Sequence, residues 1–139
     1  KGAAIDGVLV VDRLENLPAV DERENLYRRN RITSAELAFS GTIPALDCPL
    51  YVYERDYEPE QGVAASPILR SYLDAVMQGF LTVFGSEGLA RFVAETHNFA
   101  LPIHEDRHDP VYPRSVTLTE GEAELFDQAL SLTKPGGRE

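Results

Sequence analysis

A mixed α and β domain is what this sequence predicts, on three observations. Its 139 residues and 15.4 kDa fit one compact domain, which gives the expectation of a single domain over 1–139. β-branched and aromatic runs at residues 4–11 and 50–53 read as strands. From Ile68 to Phe84, apolar residues recur at helical spacing, which no strand would produce.

Taken in order, Ala4, Ile5, Gly7, Val8, Leu9, Val10 and Val11 form a run broken by Asp6, expected to be a buried strand. Leu17, Pro18 and Val20 among acidic neighbours predict a short helix over 17–24, with Pro18 in a first turn that tolerates it. Tyr27, Arg28, Arg29, Asn30, Arg31 and Ile32 read as an edge strand, because arginines and an asparagine suit no doubly covered one. Residues 34–47, ending in Gly41, Pro44 and Asp47, suggest a hairpin excursion. Leu50, Tyr51, Val52 and Tyr53 predict a strand, and the acidic stretch 54–62 a loop.

Ser66 and Pro67 are expected to cap and open a helix over 67–84 that carries Leu69, Leu73, Met77, Phe80, Leu81 and Phe84 and stops at Gly85. Ser86 opens a second helix with Leu89, Phe92 and Val93 on one face. Pro102, Pro110 and Pro113 predict an extended wrapping segment over 98–114. Thr119 followed by Glu122 is a capping box, and Leu125, Phe126, Ala129 and Leu130 make the last helix amphipathic. That stripe serves a partner as readily as a core, so oligomeric state is not readable from it. Residues 134–139 should fray.

Thirteen Lys and Arg against 23 Asp and Glu give a net charge of -10 and a pI near 4.7. Such a field repels nucleic-acid backbones and anionic lipid, so neither partner is expected. No apolar run approaches the ~20 residues of a membrane span. The lone Cys48 forms no internal disulfide and suggests a reducing, cytoplasmic compartment. Lys1 opens the chain and the only Met is Met77, which predicts that sequence upstream is missing.

Several side chains could carry chemistry. Asp21, Glu22 and Glu24 stand at the end of a helix that runs into Tyr27, Arg28 and Arg29, where a carboxylate can serve as a general base if burial raises its pKa; surface pairing with Arg23, Arg28 or Arg29 is the plainer alternative. His104 and His108 stand four apart, a zinc spacing on a helix, but Pro102 and Pro110 favour a solvated or salt-bridged loop. His97 needs no role beyond a helix end. Ser66 lacks the flanking glycines of a hydrolase nucleophile, and no glycine-rich phosphate loop occurs.

Together these stretches resemble the gamma-glutamylcyclotransferase-like family. The resemblance rests on Ile5-Asp6-Gly7-Val8-Leu9, on Leu17 to Arg29 with Val20-Asp21-Glu22-Arg23-Glu24 and Tyr27-Arg28-Arg29, on Leu50 to Tyr53, and on Ser66-Pro67 with Tyr72 and Gly79. It covers roughly residues 4–97, and Ile103 to Arg107 with Tyr112-Pro113-Arg114 is similar to bacterial members. The resemblance implies a small, highly curved, mostly antiparallel sheet or barrel, crossed by the helix over 67–84 and flanked by the later helices. It implies a small-molecule γ-glutamyl substrate and release of 5-oxoproline without metal or cofactor. Glu24 matches the family's catalytic carboxylate, and Tyr27 would line the substrate pocket, while Arg28 would hold the strand edge. The family's Tyr-Gly-Ser loop has no counterpart in this chain. It is expected either ahead of Lys1 or, failing that, the chain does not work alone. A non-catalytic binding module and a metal-dependent hydrolase on His104, Asp106 and His108 are the alternatives.

Overall fold

The computed structural model describes residues 4–41, 45–55, 66–96 and 101–132. Its architecture is mixed α and β: α1 (Leu17–Arg23), β1 (Arg28–Ile32), β2 (Leu50–Glu54), β3 (Ile68–Leu69), α2 (Arg70–Glu95), β4 (Ile103–His104) and α3 (Glu120–Ser131). The chain divides into two compact units, Leu9–Gly62, here the sheet unit, and Lys1–Val8 with Val63–Glu139, here the helical unit.

In the sheet unit α1 begins with Pro18 in its first turn, as the spacing predicts, and ends at Arg23. β1 and β2 pair antiparallel with Arg29 opposite Tyr53 and Arg31 opposite Tyr51. Because side chains alternate along a strand, those four share one face, and Arg28, Asn30, Val52 and Glu54 share the other. On that second face Asn30 Nδ2 donates to Glu54 Oε2 at 2.5 Å and Arg28 Nε to Asn30 Oδ1 at 3.1 Å. The edge-strand reading of β1 holds: among the described residues it has one strand partner. The segment after it contains a 3-10 turn, Ser34–Glu36, closed by a capping box between Thr33 and Glu36. No described residue of the sheet unit is fully buried, so polar contacts carry much of its order.

The helical unit holds the core. Leu73, Met77, Leu89 and Val93 of α2 close on Phe126 and Leu130 of α3, and Met77 and Phe126 have no exposed surface. Burying one such side chain contributes about 1.5–3 kcal/mol. Phe80 and Phe92 stack at 4.3 Å between ring centres across the break in α2. That break is at Gly85, where φ is 68° and ψ is -171°, conformations open essentially to glycine alone. The stop at Gly85 and the restart at Ser86 are both as the sequence predicts. The capping box at Thr119 is formed as well: Glu122 N donates to Thr119 Oγ1, and Thr119 N to Glu122 Oε2. The hydrogen bonds that the carboxyl accepts from Thr119 N, Thr119 Oγ1 and Gln78 Nε2 hold Glu122 below its ordinary value. The amphipathic stripe of α3 is core, with Phe126 and Leu130 buried.

Three expectations are corrected. The run over 4–11 is no strand: residues 4–13 lack regular structure, and Ile5, Val8, Val10 and Val11 are exposed. β-branched residues favour a strand only where a neighbouring strand supplies its hydrogen bonds, and none among the described residues does. No closed barrel forms: the described strands make two separate two-stranded sheets, β1 with β2 and, in parallel, β3 with β4. Closure needs every edge paired, which these ladders do not provide. The long helix starts at Arg70, not at Pro67, and Ser66 does not cap it. Ile68 N donates instead to Pro102 O at 2.9 Å and the β3–β4 pairing takes up residues 68 and 69, so a tertiary partner overrides the local start signal. The loop at 56–62, His97 and the tail at 134–139 lie outside the described residues.

Candidate functional site

Glu24 is the residue on which α1 ends. Its φ of -94° and ψ of 31° leave the helix, its amide still donates to Val20 O at 2.9 Å, and its carbonyl accepts from Tyr27 N at 2.8 Å. Backbone bonds thus hold it on both sides at the passage from α1 into β1. Its side chain is 29% exposed, and Oε1 accepts from Arg23 Nε at 2.9 Å. Arg23 itself is 71% exposed, so this pair is wet and contributes about 0–1 kcal/mol. Tyr27, three residues on, is half-exposed, and its amide closes the turn begun by Glu24.

Asp21, one turn earlier, has different partners. Its Oδ1 accepts from Tyr53 Oη at 2.7 Å, and Arg29 Nη1 donates to both oxygens at 2.8 and 3.0 Å. Arg29 also lies 4.9 Å over the Tyr51 ring. The Asp21 carboxylate, accepting the hydroxyl's hydrogen bond, raises the Tyr53 phenol above its ordinary value, against a smaller opposing pull from Arg29. Of the pairings weighed from sequence, Asp21 with Arg29 and Glu24 with Arg23 both form. The part of Tyr53 was missed, because only the β1–β2 register sets its hydroxyl against α1.

The histidine segment does other work. His104 and His108 are exposed, and among the described residues no three His, Cys, Asp or Glu side chains are grouped as a metal centre requires. Asp106, buried, is committed to the start of α2: it accepts from Ser71 N at 2.8 Å, Ser71 Oγ at 2.5 Å and Val111 N at 2.9 Å. Burial pushes its carboxyl up, but these hydrogen bonds outweigh it and hold it down to about 2. The reading of His104, Asp106 and His108 as a hydrolase centre therefore loses its carboxylate to a helix-capping role.

Beyond that cap lies an ionic cluster that is buried at Arg70 and Asp74 and opens to solvent at Asp127. Asp74 accepts from Arg70 Nε at 3.0 Å and from Arg107 Nε and Nη2 at 2.7 and 3.0 Å, and Asp127 of α3 pairs with both arginines. Burial works against the charge of Asp127, but the two guanidinium groups hold its carboxyl below the ordinary value. Arg107 is raised above the usual range, chiefly by its bond to Asp74. The sequence carried half a signal for this: Arg70 and Asp74 stand four apart on a helix.

The helical unit also has a shallow concavity of about 330 Å³ against Phe80, Phe92 and Ile5, where Arg91 pairs with Asp6 at 2.8 Å. Glu24 is not among its lining residues. Among the described residues no helix is long and apolar enough to cross a membrane. Compared with family models, curated proteins and solved structures, the chain matches none.

Proposed function

We propose that this chain is gamma-glutamylcyclotransferase-like and releases 5-oxoproline from a small γ-glutamyl amide, with Glu24 as general acid and base and Tyr27 beside the substrate. The observation that carries the reading is the position of Glu24: a carboxyl more than two-thirds sheltered, fixed by backbone bonds on either side at a helix end. The motif resemblance over Leu17 to Arg29 points to the same residue.

In the proposed reaction the carboxylate takes a proton from the substrate's α-ammonium. The amine nitrogen then attacks the γ-carbonyl carbon, a five-membered lactam bond forms, and the old amide C–N bond breaks. Glu24 returns that proton to the leaving nitrogen, then takes the second proton that the attacking nitrogen sheds as it becomes the lactam N–H and passes it to the released amine, which departs as an ammonium, so atoms and charge balance without water, metal or redox partner. One carboxyl can fill both roles because it gives back the proton it took. The exposed Cys48 suits a reducing compartment, and we place the reaction in the cytoplasm on that ground.

The test is 5-oxoproline release from a panel of γ-glutamyl peptides, γ-glutamylamines and glutathione, by the full-length protein and by Glu24→Gln. The substitution keeps shape and removes proton transfer, so turnover should fall by ~10²-fold or more with the fold intact. Equal turnover in the two proteins would take the role away from Glu24. A second reading, a non-catalytic binding module, is favoured by the concavity on the helical unit, which does not include Glu24. It predicts no turnover on any compound of the panel.

A further inference from the structure

Asp21 has three hydrogen bonds and no part in the reaction just set out. Its partners are not scattered. Arg29 and Tyr53 stand directly opposite one another in the β1–β2 ladder, so a single carboxylate from α1 is gripped by a cross-strand pair, one member from each strand. Arg29 is steadied in turn by the Tyr51 ring beneath it. α1 has seven residues, too few to be stable by helix propensity alone, and no buried apolar side chain of its own. The orientation of its last turn therefore depends on polar docking, and Asp21 is the docking residue.

Glu24 follows Asp21 by three residues, on the cap of that same turn. We propose that Asp21 is a positioning residue, which through Arg29 and Tyr53 sets the angle at which α1 presents the Glu24 carboxyl. The chemical consequence rests on the cyclotransferase reading; the mechanical one does not. Proton transfer to a reacting nitrogen needs hydrogen-bond distance, and a carboxyl displaced by an ångström loses up to ~10²-fold in rate. Loosening the dock should therefore lower kcat and leave substrate binding nearly as it was.

Two variants of the full-length protein separate positioning from simple structural support. Tyr53→Phe deletes one hydroxyl and keeps the ring; Asp21→Ala removes the whole grip. We expect kcat to fall ~3–10-fold in the first and ~30-fold or more in the second, with KM within ~2-fold of the parent. Asp21→Asn, which retains an acceptor for Tyr53, should recover part of the loss. Amide exchange supplies the readout that needs no turnover: the amides of Glu24 and Tyr27 should exchange ~5-fold faster or more in Asp21→Ala, while those of α2 stay as slow as in the parent. Turnover that Glu24→Gln abolishes but neither dock variant changes would overturn the proposal. So would unchanged exchange at Glu24 and Tyr27. If no γ-glutamyl compound is turned over by the parent protein, the chemical reading fails, and exchange at these two amides still decides whether Asp21 sets the turn.

Discussion

Replacing Asp74 by Asn should be among the most damaging single changes in the helical unit, although it alters one atom. Asp74 is 2% exposed and accepts three hydrogen bonds, one from Arg70 and two from Arg107. The parent cluster sets two guanidinium groups against the carboxylates of Asp74 and Asp127; the variant sets them against Asp127 alone. Arg107 is a quarter exposed and can turn toward water, but Arg70, at 4%, cannot. Breaking a buried ion pair costs about 3–5 kcal/mol, and because Arg70 keeps Asp127 and the amide oxygen still accepts one N–H the loss should lie near the lower end. With a urea slope of ~1.5–2 kcal/mol per molar for a protein of this size, the unfolding midpoint should drop by ~1.5–2 M. Far-ultraviolet circular dichroism is a suitable probe, since α2 and α3 are the longest helices described. Asp127→Asn is the internal control: its side chain is 57% exposed, water screens it, and its loss should stay near ~0–1 kcal/mol. A midpoint no lower in Asp74→Asn than in Asp127→Asn would refute the claim that burial sets the cost.

Two further outcomes follow from the same unit. Asp106 is lowered from 3.8 to about 2 in the folded protein, so its contribution to stability is complete above pH 3.8 and drains away as pH falls toward about 2. Thermal melts across that window should show a steep loss in the parent and a shallower one in Ser71→Ala, which removes the hydroxyl donor; parallel slopes would contradict the assignment. Gly85→Ala should cost about 1–3 kcal/mol, because φ of 68° with ψ of -171° strains any side-chain-bearing residue. Nothing lies within 4 Å of the added methyl, so the cost is backbone alone, and a variant as stable as the parent by chemical denaturation would show that the break relaxes.

Local signals in the chain were legible where the structure-forming cause is itself local. Pro18 in the first turn of α1, the Gly85 break, the Thr119–Glu122 capping box and the spacing of Phe126 and Leu130 each depend on residues within a few positions of one another. The 4–11 run shows the opposite case. Its β-branched composition says only that a strand would suit it, and strand formation needs a partner that composition does not name. Ser66-Pro67 reads as a helix start for the same reason it fails as one: the pattern is adequate, but β4 recruits Ile68 and Leu69 first.

The candidate site divides along the same line. Glu24 and Asp21 could be singled out from the chain because a helix end followed by a basic strand is a local pattern, and their arginine partners lie within eight residues. Tyr53 is 32 residues from Asp21, and Asp106 is 35 from Ser71. What the order of amino acids settled by itself was which segments are helical, where they break and which faces are apolar, since backbone propensity and side-chain periodicity act over a turn or two. The tertiary structure alone decided which carboxylate meets a donor distant along the chain, as Asp21 meets Tyr53 and Asp106 meets Ser71. A hydrogen bond depends on a few ångströms of separation in space, and distance along the chain does not determine that separation.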